Sequence, residues 1–145
     1  MVARLASGDT LPVFRVKYWT FPDSSPAALQ LEYEPPFDVT DTAAVRKLAT
    51  SVWPEFAPHV ERLELTMAIL TATNMRRASA IQLRAAAWHS WGFVARRDSA
   101  HAWRFDGDSE VLPPANPRAP LRIFFPNGAP VEINEKRLKE RFGIP

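Results

Sequence analysis

The sequence predicts an α+β fold in which a curved antiparallel sheet packs on one long helix. Residues 40–63 carry apolar side chains at helical spacing. Segments before and after this stretch alternate between apolar and polar residues, as half-buried strands do. The absence of any membrane-length apolar run fits a soluble domain of this class. The predicted order is β-β-α-β-β-β, followed by a small C-terminal β/α appendage.

The central helix is predicted from six apolar residues spaced three and four apart: Val45, Leu48, Val52, Phe56, Val60 and Leu63. At about 100° per residue they form one stripe that faces a core. Asp38, Thr40 and Asp41 offer capping oxygens at the start. Pro54 and Pro58 lie inside the helix, where each costs about 3 kcal/mol. Because the stripe keeps its phase, we predict a kinked, continuous helix with both prolines towards solvent. A break at Trp53–Pro54 is the alternative.

Two strands are predicted before the helix. Residues 11–21 and 28–34 both alternate, and residues 22–26 between them have the composition of a turn. The short connection predicts an antiparallel hairpin. Residues 1–11 are predicted to form a loose terminus.

The region after the helix is predicted to be mostly strand. Residues 63–70 alternate and lead to the turn former Asn74. We predict a long strand over residues 80–97, bent near Gly92. A short helix over residues 78–88 is the alternative, because Ala, Leu and Arg favour helix.

A tight turn at Asp98-Ser99 is predicted to return the chain as a strand over residues 100–105. If the turn is that tight, Val94 pairs with Trp103. Such a curved sheet wrapped on one helix resembles, at the level of architecture only, cystatin-like proteins. Fold-level resemblance carries no activity with it.

The chain divides by composition into a body, residues 1–106, and a proline-rich C-terminal extension, residues 107–145, that packs on the body or on a partner. Seven of the fourteen prolines lie in this extension. Its last part predicts a strand at 121–125, a turn, a partner strand at 131–133 and a helix over 135–142, capped by Asn134.

Charge and composition restrict the possible functions without selecting one. The formal net charge is only +2, and arginine provides fourteen of the eighteen basic residues. Six arginines lie between Arg76 and Arg104, which suits phosphate or carboxylate recognition. A coding bias towards Ala and Arg is the alternative explanation. We see no secretory signal, which favours a cytoplasmic location.

Motifs for common catalytic chemistry are absent from the sequence. Cysteine is missing, which excludes disulfides, thiolate catalysis and Cys-based zinc sites. His59, His89 and His101 are not at metal-ligand spacing. His59 stands one helical turn after Glu55, and the two are predicted to form a surface hydrogen-bonded pair. No phosphate-binding glycine motif is present, and we predict no metal and no cofactor.

One aromatic and basic constellation is the candidate contact site: Trp88, His89, Trp91, Arg96, His101, Trp103 and Arg104. Trp and His combine an apolar body with a polar tip, and arginine meets anions. This combination suits a ligand pocket, a protein contact or stacking on bases. The alternative is that these aromatic residues fill the core between sheet and helix.

Three functions follow in order of preference. The first is a small, soluble, non-enzymatic binding or accessory protein that acts through protein–protein contact, self-association included. The second is a small-molecule-binding protein or enzyme with a pocket between sheet and helix, in which His89 or His101 acts as acid or base. The third is nucleic-acid binding through Arg76–Arg104, which the low net charge disfavours.

Overall fold

A computed structural model describes residues 1–74 and 89–144 of the chain. The elements, in chain order, are β1 (Val2–Arg4), β2 (Thr10–Trp19), β3 (Ala28–Tyr33), α1 (Thr42–Arg62), β4 (Met67–Asn74), β5 (His89–Arg97), β6 (Trp103–Phe105), β7 (Arg122–Phe124), β8 (Pro130–Val131) and α2 (Glu135–Phe142). The predicted α+β class is confirmed. In the part of the chain that the structure describes, no helix has the length and apolar character needed to cross a membrane.

The strands form one sheet in the order β6-β5-β4-β3-β2-β1-β7-β8. The predicted hairpin of β2 and β3 is confirmed. The predicted antiparallel arrangement is confirmed at every described pair except β3–β4, which is parallel. Parallel pairing follows because α1 carries the chain back to the end of the sheet where β3 began.

The first residues are not a loose terminus. β1 lies between β2 and β7 and pairs with both. Its central residue, Ala3, is fully buried. A strand of three residues is too short to show alternation, so nothing local distinguishes it from a loop. Its position is fixed only by the partners on its two sides.

The central helix α1 is one continuous element of 21 residues through both prolines, so the alternative break at Trp53–Pro54 is wrong. A kink in α1 stays a prediction. Of the three predicted capping residues, Asp41 caps the helix, accepting a hydrogen bond from the backbone N–H of Ala44. Apolar residues of the predicted stripe are buried in the core, among them Val45, Val52, Phe56, Val60 and Leu63.

The expectation that both prolines face solvent is wrong for Pro58, which is buried. Proline lacks an N–H, so Pro58 leaves the carbonyl of Pro54 without its usual helical donor. The backbone N–H of Asn116 donates to that carbonyl at 2.7 Å, and the N–H of Leu121 donates to the carbonyl of Glu55 at 2.8 Å. The C-terminal extension therefore packs on α1 where the helix has an unpaired backbone acceptor.

The C-terminal helix α2 forms as predicted. Asn134 caps its start by accepting a hydrogen bond from the backbone N–H of Arg137, and Gly143 ends it with a φ of 65°. Its Phe142 ring lies 4.4 Å, centroid to centroid, from that of Tyr18 on β2. Strands β7 and β8 extend the same sheet that α1 covers. The division of the chain at residue 106 stays a prediction.

The predicted pairing of Val94 with Trp103 is wrong. Arg97 lies opposite Trp103, and Ala95 lies opposite Phe105. The shift arises because the turn is longer than the predicted two residues. Asp98 Oδ1 accepts hydrogen bonds from the backbone N–H groups of Ala100 and Ala102 at 2.9 and 3.0 Å. These contacts stabilise a wide loop instead of a tight turn.

Tyr33 of β3 is fully buried in the core, and its hydroxyl has no hydrogen-bond partner among the described residues. A hydroxyl left unpaired in a core is unfavourable, since it has exchanged water for apolar neighbours. Burial also raises the pKa of Tyr33 well above its ordinary value, because the phenolate is the form that desolvation disfavours.

We expect Tyr33→Phe to leave the free energy of unfolding at pH 7 unchanged or raise it by up to about 1 kcal/mol. In the wild type, the unfolded chain releases the phenolic proton at lower pH than the folded chain does. The wild type therefore keeps its full free energy of unfolding below the pKa of an unfolded tyrosine, about 10. This free energy falls as the pH rises above that value. Urea unfolding at pH 7 and at alkaline pH checks this. A loss of stability at alkaline pH that is equal in both proteins contradicts it.

Candidate partner-binding edge

Among the residues that the structure describes, the edge of the sheet at β5 is only partly covered. β6 covers only the last three residues of β5, Ala95–Arg97. It ends because Gly107 takes a φ of 78° and turns the chain away, with the N–H of Asp108 donating to the carbonyl of Phe105. Within residues 1–74 and 89–144, no strand pairs with the outer side of residues 89–93. We call these five residues the open edge.

The direction of the backbone groups along the open edge follows from two hydrogen bonds. The carbonyl of Val94 accepts from the N–H of Asp106 at 2.8 Å, so Val94 directs its backbone groups to the β6 side. The N–H of Arg97 donates to the carbonyl of Thr66 on the opposite side. Alternate residues of an antiparallel strand direct their groups to the same side. Ser90 and Gly92 therefore present their N–H and C=O groups outward.

The open edge has no charged residue, which is unusual because edge strands are commonly protected by charges. The side chain of Trp91 is 46% exposed. The opposite edge of the sheet, at β8, is protected differently: β8 has only two residues and begins with Pro130, which has no N–H. Of the two sheet edges, β5 is thus the one suited to accept another strand.

The structure separates the residues of the predicted constellation. His89 and Trp91 lie on the open edge, and Trp88 lies outside the described residues. Trp103 is 4% exposed, packs 4.9 Å from the ring of Trp53, and donates from Nε1 to Glu61 at 3.1 Å. It fills the core, as the alternative interpretation of the aromatic residues held. His101 is exposed in the β5–β6 loop.

The two arginines of the constellation form ion pairs. Arg96 Nε donates to Asp106 at 2.8 Å, and Arg104 Nε donates to Asp98 at 3.4 Å. Hydrogen bonding, chiefly from the backbone N–H of Ala102 and also from Arg104, lowers the pKa of Asp98 below its ordinary value. Arg96 and Arg104 lie directly opposite each other in the sheet, so these acids offset the repulsion of a like-charged pair.

A cleft of about 420 Å³ lies between the last turn of α1, the β7–β8 hairpin and the start of α2. His59 lines it, but the predicted surface pairing of His59 with Glu55 is wrong. His59 is buried, with Nδ1 2.8 Å from Glu135 and Nε2 3.3 Å from the carbonyl of Leu121. Glu55 instead accepts from the backbone N–H of Ala6 at 2.8 Å. Both nitrogens of His59 are occupied, so the ring connects the extension to α1 and has no free nitrogen for a substrate.

A second groove, of about 400 Å³, lies beside the β5–β6 loop and is lined by His101, Glu61 and apolar residues that include Val111 and Pro113. The carboxylate of Glu61 is engaged by Trp103. Among the described residues, no three His, Asp or Glu side chains come together as a metal site would require.

Ser90 and Gly92 are the residues of this edge that sequence reasoning missed, because their importance lies in backbone groups. An uncharged run in a predicted strand was the available signal, but its meaning depends on how far the neighbouring strand extends.

Comparison of the chain with protein-family models, with curated proteins and with solved structures gives no match.

Proposed function

We propose that this chain is a non-enzymatic binding protein that acts through protein–protein contact, by accepting an extended strand of another polypeptide at the open edge. The outward backbone groups of Ser90 and Gly92 are the observation that carries the proposal. Main-chain hydrogen bonds supply the affinity in such strand addition, and side chains beside the edge supply specificity. Trp91 is half-exposed beside this edge, and we propose that its side chain supplies such specificity.

The distance between the two histidines excludes an active site that uses both of them. His89 begins β5 and His101 follows its other end, so β5 separates them by roughly 25 Å at about 3.3 Å per residue. An enzyme of the predicted kind would therefore use His89 or His101 alone. Of the three described arginines of the Arg76–Arg104 region, Arg96 and Arg104 are paired with acids, and Arg97 Nε donates to the carbonyl of His101. These contacts disfavour phosphate binding. The cystatin-like resemblance and a kink in α1 also stay predictions, and strand addition depends on neither.

We expect Gly92→Pro to abolish binding of an added strand while preserving the fold. Proline has no N–H, and the N–H of Gly92 points away from β4, so no internal hydrogen bond of the sheet is lost. The probe is a synthetic peptide of residues 89–97, titrated into ¹⁵N-labelled protein. In the wild type, the amide signals of Ser90 and Gly92 should shift on binding.

Gly92→Ala is the matched control, since it keeps the N–H. A Cβ at this position would lie 3.6 Å from Thr71 Oγ1 and 3.8 Å from the Leu70 carbonyl, both ordinary contacts. The alanine variant should bind like the wild type. If the peptide does not bind the wild type, or binds the proline variant equally well, the open edge is not the partner surface and the proposal fails.

A further inference from the structure

We infer that the strand accepted at the open edge is β5 of a second copy of this chain, paired antiparallel about a two-fold axis at Trp91. The inference rests on the proposed function and names its partner. A two-fold interface brings the same surface patch of both copies together, so the patch must be complementary to itself. Hydrogen bonding and charge each meet this condition.

The two residues with outward backbone groups fix the axis. Ser90 and Gly92 lie on either side of Trp91 in β5. When two such edges pair about Trp91, His89 of each copy lies opposite Phe93 of the other. A shift that places Ser90 opposite Val94 of the other copy would bring the strand against β6, where the N–H of Asp106 already occupies the Val94 carbonyl.

The same register satisfies the outward backbone groups. Ser90 of each copy lies opposite Gly92 of the other, and an opposed hydrogen-bonded pair in an antiparallel ladder exchanges two bonds. The two pairs therefore form four hydrogen bonds. This is the one antiparallel register in which the outward groups of Ser90 and Gly92 are all paired with one another.

The side chains agree with this arrangement. Trp91 of one copy lies opposite Trp91 of the other at a position without ladder hydrogen bonds, where opposed side chains are closest. Pairing covers an indole that is 46% exposed in the single chain. The open edge has no charged side chain, so two copies bring no like charges together.

Sedimentation of the full chain from about 1 to 500 µM tests the assembly. We expect a concentration-dependent dimer, weakened about tenfold or more by Gly92→Pro, which removes two of the four hydrogen bonds. Gly92→Ala should dimerise like the wild type. A wild type that stays monomeric throughout overturns the inference. If the peptide of residues 89–97 still binds that monomer, strand addition stands and only the second copy is wrong.

Engineered cysteines test the register, because the chain has no cysteine of its own. Directly opposed residues at such a position have Cα atoms about 4.5 Å apart, within the range of a disulfide. Trp91→Cys should therefore form a disulfide-linked dimer at least about tenfold faster than Val111→Cys, a 50% exposed site away from the edge. Ser90→Cys should remain at the rate of the Val111 control, because its two cysteines are about 7–8 Å apart, too far to bridge. Equal rates at all three sites, or faster linkage at Ser90, overturn the register.

Discussion

Removal of residues 107–145 is expected to prevent cooperative folding of the rest of the chain. The extension contributes three buried core side chains, Leu112, Leu121 and Ile123. Burying such side chains contributes about 1.5–3 kcal/mol each. Their loss approaches the whole stability of a typical domain, about 5–15 kcal/mol. The deletion also removes β7, one of the two strands that pair with β1, and both donors that reach the carbonyls of Pro54 and Glu55.

The measurement is urea unfolding of residues 1–106 followed by circular dichroism. The matched control is a shorter deletion of residues 134–145, which removes α2 and leaves β7 and the three core side chains in place. We expect the control to unfold cooperatively at lower urea than the full chain. Cooperative unfolding of residues 1–106 at the same urea concentration as the full chain would show that the extension is dispensable for the fold.

Trp103→Ala is expected to lower the free energy of unfolding by about 3–5 kcal/mol, the usual cost of truncating a buried aromatic residue. Trp103 is 4% exposed and packs against Trp53, so truncation leaves a cavity between the sheet and α1. It also takes the indole N–H away from Glu61. Urea unfolding with tryptophan fluorescence measures the loss.

Trp91→Ala is the control, because it removes the same side chain from the same part of the predicted constellation. At 46% exposure, Trp91 should contribute less than about 1 kcal/mol to the stability of the single chain. The comparison is best made at low micromolar concentration, where self-association contributes least. Similar losses for the two variants would contradict the assignment of Trp103 to the core and Trp91 to the open edge.

Features of α1 and α2 could be predicted from the sequence because they depend on nearby residues. The apolar stripe from Val45 to Leu63 identifies the buried side of α1 through helical spacing alone. Asn134 and Gly143 mark the two ends of α2 by the conformations they favour. The β2–β3 hairpin followed from a short connection between two alternating segments.

The open edge and the burial of His59 could not be predicted in the same way. His59 has the spacing of a surface residue beside Glu55, and only a segment more than sixty residues later covers it. The wide β5–β6 loop is set by hydrogen bonds to Asp98, and it moved the register of the hairpin. These features depend on contacts between residues far apart in the chain, which periodicity does not encode.

The sequence by itself therefore determined the α+β class, the inner face of α1, the caps of α2 and the antiparallel β2–β3 hairpin. Only the tertiary structure decided that β1 lies inside the sheet, that the extension pairs with the carbonyl freed by Pro58, and that β5 extends beyond β6. The physical reason is that helical periodicity and capping are local, whereas the exposure of a strand edge depends on where its neighbour ends. Gly107 ends that neighbour, and as a result no strand of the described residues pairs with the outward side of Ser90 and Gly92.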